Sequence, residues 1–148
     1  ISIFVKYFIM HKAKACVIGC IDFRFRGATD NFLKSESWAD SYDLISIAGS
    51  SRDFIKPMKE THGDYAWLQL GLSIKLHEPD LVVFVDHQDC GGYAQDGTIP
   101  GGLERDEDRE KHSEMLEQLK GKLLEKYPNL LFRFYHIDFD GGVKELLV

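Results

Sequence analysis

Cys20, His87 and Cys90 are the residues whose types and spacing could hold a metal ion. Zinc takes thiolate sulfur and imidazole nitrogen; three protein ligands leave a fourth position for a reacting water, whereas four usually close the site into a structural one. Six histidines and three cysteines in 148 residues would give ~0.1 His-x-x-Cys pair by accident, so the pair alone is a weak signal. Its surroundings strengthen it. Gly91-Gly92 directly after Cys90 suits a backbone passing close to a metal, with a simple turn as the plain reading.

The elements expected to position these residues are strands. Ala13 to Gly19 before Cys20 and Leu81 to Val85 before His87 are apolar runs, so both ligand segments read as exits from buried strands, where open α/β sheets bind their ligands. A first strand is expected at about 14–20, then a helix at 29–39 with Thr29 or Asp30 as its cap. A short strand at 43–49 leaves through Gly49-Ser50-Ser51. A helix at 63–77 carries Leu68, Leu72 and Ile74 on or near one face with Tyr65 nearby, and Pro79 stops it. After the strand at 81–85 and a glycine-rich stretch, 104–126 reads as a charged amphipathic helix with Met115, Leu116, Leu119 and Leu123 as its stripe. Its front, Glu104 to Lys111, reads as a solvated face. Alternation from Phe132 to Ile137, then Asp140-Gly141 and Val143 to Val148, reads as a hairpin at the sheet edge. The fold expected is α/β: a parallel β-sheet core with flanking helices and a C-terminal edge strand or hairpin.

A length of 148 residues with 44% hydrophobic content suits one domain, 1–148, with a real core. The net charge of −6 and the lack of a basic stripe argue against a nucleic-acid surface. Three cysteines are too few for a disulfide framework, which makes cytoplasm the default compartment. The apolar start, Ile1 to Met10, is about half a membrane span and holds Lys6. It is expected to dock on the body or on a neighbouring subunit, with no membrane partner.

Cys20-Ile-Asp22-Phe-Arg24 with His87-Gln-Asp-Cys90-Gly91-Gly92 resembles the β-class carbonic anhydrases, whose marks are Cys-x-Asp-x-Arg and His-x-x-Cys-Gly-Gly after successive buried strands. The resemblance extends through 43–49, the helix at 63–77 and, more loosely, 134–148. It implies a zinc lyase that reversibly hydrates CO2 to bicarbonate by zinc-bound hydroxide. Cys20, His87 and Cys90 would be the zinc ligands, and Asp22 with Arg24 the catalytic dyad. Two thiolates neutralise Zn²⁺ and leave its water less acidic than three imidazoles would, so a carboxylate that accepts the hydroxide's hydrogen bond is useful. Arg24 can hold that carboxylate ionised and aimed. The family also implies a homodimer or higher homo-oligomer, here with a shorter approach to the first strand and a shorter stretch before the last.

Other readings use the same residues. The substrate could be a sulfur analogue, carbonyl sulfide or carbon disulfide. Alternatively Asp22 closes the metal as a fourth ligand, giving a non-catalytic zinc-stabilised binding or regulatory domain. Cys16, ~13 Å along the strand from Cys20, reads as core. Asp86 and Asp89 read as turn formers before second-sphere partners, and Arg52 as solvent-facing before an anion guide. His11, His62, His77, His112 and His136 read as surface or hairpin residues, with His62 or His136 the ones that would suit a proton shuttle. Phe23, Phe25, Trp38 and Tyr93 read as core, with an apolar CO2 pocket the sharper alternative.

Overall fold

The structure is a computed structural model that describes residues 11–148; the docking expected of Ile1 to Met10 lies outside them. Five strands form one sheet in the order β2-β1-β3-β4-β5. They are β1 (Ala15–Gly19), β2 (Tyr42–Ser46), β3 (Leu81–His87), β4 (Leu131–Ile137) and β5 (Val143–Glu145). The first four run parallel, and β5 pairs antiparallel with β4 as the edge. The helices are α1 (Arg26–Ser35), α2 (Arg52–Ile55), α3 (Glu60–His77), α4 (Gly91–Ala94) and α5 (Arg105–Lys126), with a 3-10 turn at Phe23–Phe25. The α/β class and the edge hairpin agree with the sequence.

Side chains alternate across each strand, and both faces are covered. Cys16, Ile18, Val82, Phe84 and Phe134 pack with Ala66 and Leu70 of α3 and with Leu116, Leu119 and Leu123 of α5. On the opposite face Ala15, Val17, Val83, Val85 and Ile137 pack with Phe25, Leu33 and Trp38. Cys16 is therefore core, and burial pushes its thiol up to about 11, which keeps it protonated.

The chain leaves β1 toward β2 on one side, then crosses back to place β3 on the other side of β1. The carboxyl ends of β1 and β3 thus form the point where the strand order reverses, the ligand-binding crevice of open α/β sheets. Gly19 is in register with Val85, so Cys20 and His87 leave adjacent parallel strands side by side.

Several local expectations change. The first helix starts at Arg26 rather than 29, because Asp22 caps the preceding 3-10 turn by accepting from the Arg24 N–H. Thr29 and Asp30 fall inside the helix, and Asp30 pairs with Arg26. In α3 the buried side is Gly63, Ala66, Leu70 and Ser73, with Ala66 and Leu70 in the core, Ser73 bonded to Asp43 of β2 and Gly63 set against Asp53 and Pro57, while Tyr65, Leu68, Leu72 and Leu76 are 56%, 55%, 39% and 45% exposed. Both faces of this helix are apolar, so periodicity could not choose between them. β3 runs two residues past Val85 and takes in Asp86, which is buried in the strand and is not a turn former. Asp108 at the front of α5 is fully buried rather than solvated, and so are His112 and His136. Arg52 is also buried, paired with Asp96 at 2.7 Å.

Candidate metal centre

Each ligand candidate is placed by the end of an element. Cys20 follows β1, His87 closes β3, and Cys90 precedes α4. Their Sγ and imidazole nitrogen atoms lie within 4.8 Å of one another. The His87 Nδ1–H donates to the Gln88 carbonyl at 2.8 Å; since that carbonyl only accepts, Nε2 carries the lone pair. Nε2 is buried and has no hydrogen-bond partner. Such an atom beside two sulfurs is what a zinc ligand requires, and the pair of thiolates would cancel the ion's charge. The residues present therefore fit zinc.

The sulfur of Cys20 is already prepared for the thiolate form. The hydrogen bond from Cys90 is the largest influence, and with the neighbouring His87 ring and, least, the Gly49 N–H at 3.3 Å it overcomes burial to lower the Cys20 thiol to about 4. The Gly49 loop reaches this sulfur because position 92 has no side chain. A Cβ on Gly92 would sit 2.5 Å from the Gly49 Cα, whereas one on Gly91 would meet nothing. Thus the second glycine of the pair is a packing requirement. Phe25 packs on another candidate, its ring stacked on His87 with centroids 4.2 Å apart.

Asp22 and Arg24 meet as a fork. Arg24 Nη2 donates to Asp22 Oδ2 at 2.7 Å, and Nε donates to both carboxylate oxygens at 3.1 and 3.2 Å. The Arg24 guanidinium is the main cause that holds Asp22 below the usual carboxylate range. Asp22 Oδ2 stands 3.9 Å from His87 Nε2, close to the ligand cluster while engaged by Arg24. The other end of Arg24 is held by Asp89, through Nη1 to Oδ2 and Nη2 to the backbone carbonyl, both at 3.0 Å. Asp89 is a turn residue, at φ 54°, and also the anchor of the dyad.

Beneath the cluster lies a buried network that single-residue reasoning missed. Asp86 accepts from the Ser51 hydroxyl at 2.7 Å, the Ser51 N–H at 3.3 Å and the His112 Nδ1–H at 2.9 Å. Burial opposes its charge, yet these donors prevail and hold Asp86 below the ordinary carboxylate value. The Tyr93 hydroxyl joins Ser51 at 2.7 Å. Asp108 bonds His136 Nε2 at 2.7 Å and the Asp89 N–H at 3.0 Å, which ties the network to the dyad's anchor. The Asp108–His112 spacing of four on one helix was the available sequence hint. The CO2-pocket reading divides: Phe25 lies at the site, Trp38 is in the core, Tyr93 is buried in the network and Phe23 is 86% exposed.

These features define a β-carbonic-anhydrase-like α/β fold with a candidate metal centre at its switch point. A family model described as "Putative carbonic anhydrase" matches residues 10–145. The chain belongs to that family. An uncharacterized protein of Rickettsia bellii is 26% identical over 138 residues, covering 93% of this chain and 84% of that one. Among solved structures, tetrameric beta-carbonic anhydrases from Sordaria macrospora align with TM-score 0.58 at 14% identity, covering 99% of this chain and 86% of theirs. A carbon disulfide hydrolase in its apo form aligns with TM-score 0.54 at 16% identity, over 92% of this chain and 79% of that one. At these identities the structures speak for the fold.

Proposed function

We propose that this protein interconverts CO2 and bicarbonate, using zinc held by Cys20, His87 and Cys90 and the dyad of Asp22 and Arg24. The observation that carries the proposal is the Asp22 carboxylate, forked by Arg24 at 3.9 Å from the unpartnered His87 Nε2. When bound there, zinc would supply Lewis acidity that lowers the pKa of a water toward ~7. Asp22 accepts a hydrogen bond from the reacting water and orients it toward the substrate carbon. Arg24 keeps Asp22 ionised, and Asp89 keeps Arg24 in place. Asp22 is engaged by the Arg24 fork and caps the 3-10 turn through Oδ1, which supports the reading of it as a partner of the reacting water rather than a fourth ligand.

Carbon disulfide or carbonyl sulfide hydrolysis is the second reading, favoured by the fold shared with the carbon disulfide hydrolase. Side-by-side assays of CO2 hydration and sulfide release on zinc-loaded protein separate the two. Faster CO2 turnover is expected; sulfide release without CO2 turnover would reverse the assignment. A homo-oligomer in the cytoplasm completes the proposal, with the exposed Tyr65, Leu68, Leu72 and Leu76 face of α3 as its contact. No helix among the described residues is long and apolar enough to cross a membrane.

A further inference from the structure

We propose that Asp108, His112 and His136 form a second cation site, for one first-row divalent ion such as zinc, separate from the Cys20, His87 and Cys90 cluster. Their ligand atoms lie within 4.8 Å of one another, and all three residues are fully buried. Asp108 and His112 are one helical turn apart on α5, and His136 reaches them from β4. Asp108 Oδ1 is 2.7 Å from His136 Nε2 and 3.5 Å from His112 Nε2. Two ligands bound ~2.1 Å from one ion lie ~3.0 Å apart at a right angle and ~3.4 Å apart at the tetrahedral angle, so small shifts admit an ion.

The tautomer of His112 is the independent sign. Its Nδ1–H donates to the Asp86 carboxylate at 2.9 Å, which turns the lone pair of Nε2 toward Asp108 and His136. That Nε2 is buried without a hydrogen-bond partner. A carboxylate behind an imidazole whose other nitrogen is free is the usual support of a metal-binding histidine. His136 would bind through Nε2 with its proton on Nδ1, an atom that also has no partner now. Charge agrees: Asp86 and Asp108 are both buried, and one divalent ion makes the assembly neutral. Two imidazoles and a carboxylate suit zinc, ferrous iron or cobalt rather than calcium or magnesium. Enclosed between α5, β3 and β4, such an ion would fasten elements rather than meet substrate.

Cobalt titration of the full-length, chelator-stripped protein tests this. Wild type should bind two equivalents, one with a thiolate-to-cobalt charge-transfer band and one with d–d bands alone. His136→Gln and, separately, Asp108→Asn should bind one equivalent and retain the charge-transfer band. Cys20→Ser with Cys90→Ser should bind one equivalent without it. Saturation of wild type at one equivalent with the charge-transfer band would overturn the second site, whatever the variants do. One equivalent without that band would instead contradict the thiolate site of the proposed function and leave this one standing.

Discussion

At the residue scale, Asp22 and Arg24 act as a unit that Asp89 steadies. Removing the Asp89 carboxylate breaks one charge-assisted bond to Arg24 and leaves the backbone one. Asp89→Asn, which suits the positive φ and can still accept from the Gly102 N–H, should therefore lower kcat by about tenfold, the equivalent of ~1.4 kcal/mol, with KM and zinc content unchanged. Steady-state kinetics beside metal analysis checks it. The pH behaviour of Asp22 follows from its lowered value. A carboxylate depressed by folding contributes stability above its unfolded value of ~3.9, and that contribution is lost as pH falls through the folded value. In a carboxyl NMR titration Asp22 should thus keep its charge below the ordinary range, and Arg24→Leu should bring it back up. An unmoved titration would show that Arg24 is not the cause.

The catalytic candidates were legible because Cys20, Asp22 and Arg24 sit within five residues and His87 with Cys90 within four. Of the partners that hold them, Asp86 and Asp89 were visible only as an alternative to turn formers, and the rest were not. Ser51, Asp86, Asp108 and His136 meet across 28 to 35 residues of sequence, and nothing local marks an aspartate in a strand as buried. Arg52 was illegible for the same reason, since its charge is answered by Asp96, 44 positions away.

At the element scale, the loop between β2 and α2 depends on Gly92. A methyl group there would strike Gly49, whose N–H faces the Cys20 sulfur. Gly92→Ala should cost about 1–3 kcal/mol in overpacking and weaken zinc binding by roughly tenfold or more. Gly91→Ala, with open space, should keep the affinity. Competition with a chelator measures both, and equal affinities would remove the packing account of this glycine. The same scale explains why the inward stripe of α5 is legible in the sequence, though not its buried Asp108 and His112, and why the inward side of α3 is not. In α5 the apolar stripe is single and flanked by charge, so Met115, Leu116, Leu119 and Leu123 could only face inward. In α3, leucines lie on both sides, and the buried side is made largely of the small residues Gly63, Ala66 and Ser73.

At the scale of the whole molecule, the exposed side of α3 is a second apolar surface on a chain of net charge −6. A second copy covering it would bury this surface. Replacing Leu68 and Leu72 with glutamate should shift sedimentation from oligomer toward monomer while secondary structure is kept. An unchanged assembly would place the contact elsewhere. The larger architecture was legible because β1 and β3 are continuous apolar runs and the helices alternate with strands. The switch point itself follows from strand order, which no single segment records.

Stopped-flow CO2 hydration by zinc-loaded wild type and Asp22→Ala at equal zinc content tests the proposed catalysis at its centre. Turnover well above buffer is expected for wild type and a fall of at least ~100-fold for the variant, in the range of general acid–base contributions. No wild-type rate above buffer, or equal rates in the two proteins, would contradict it.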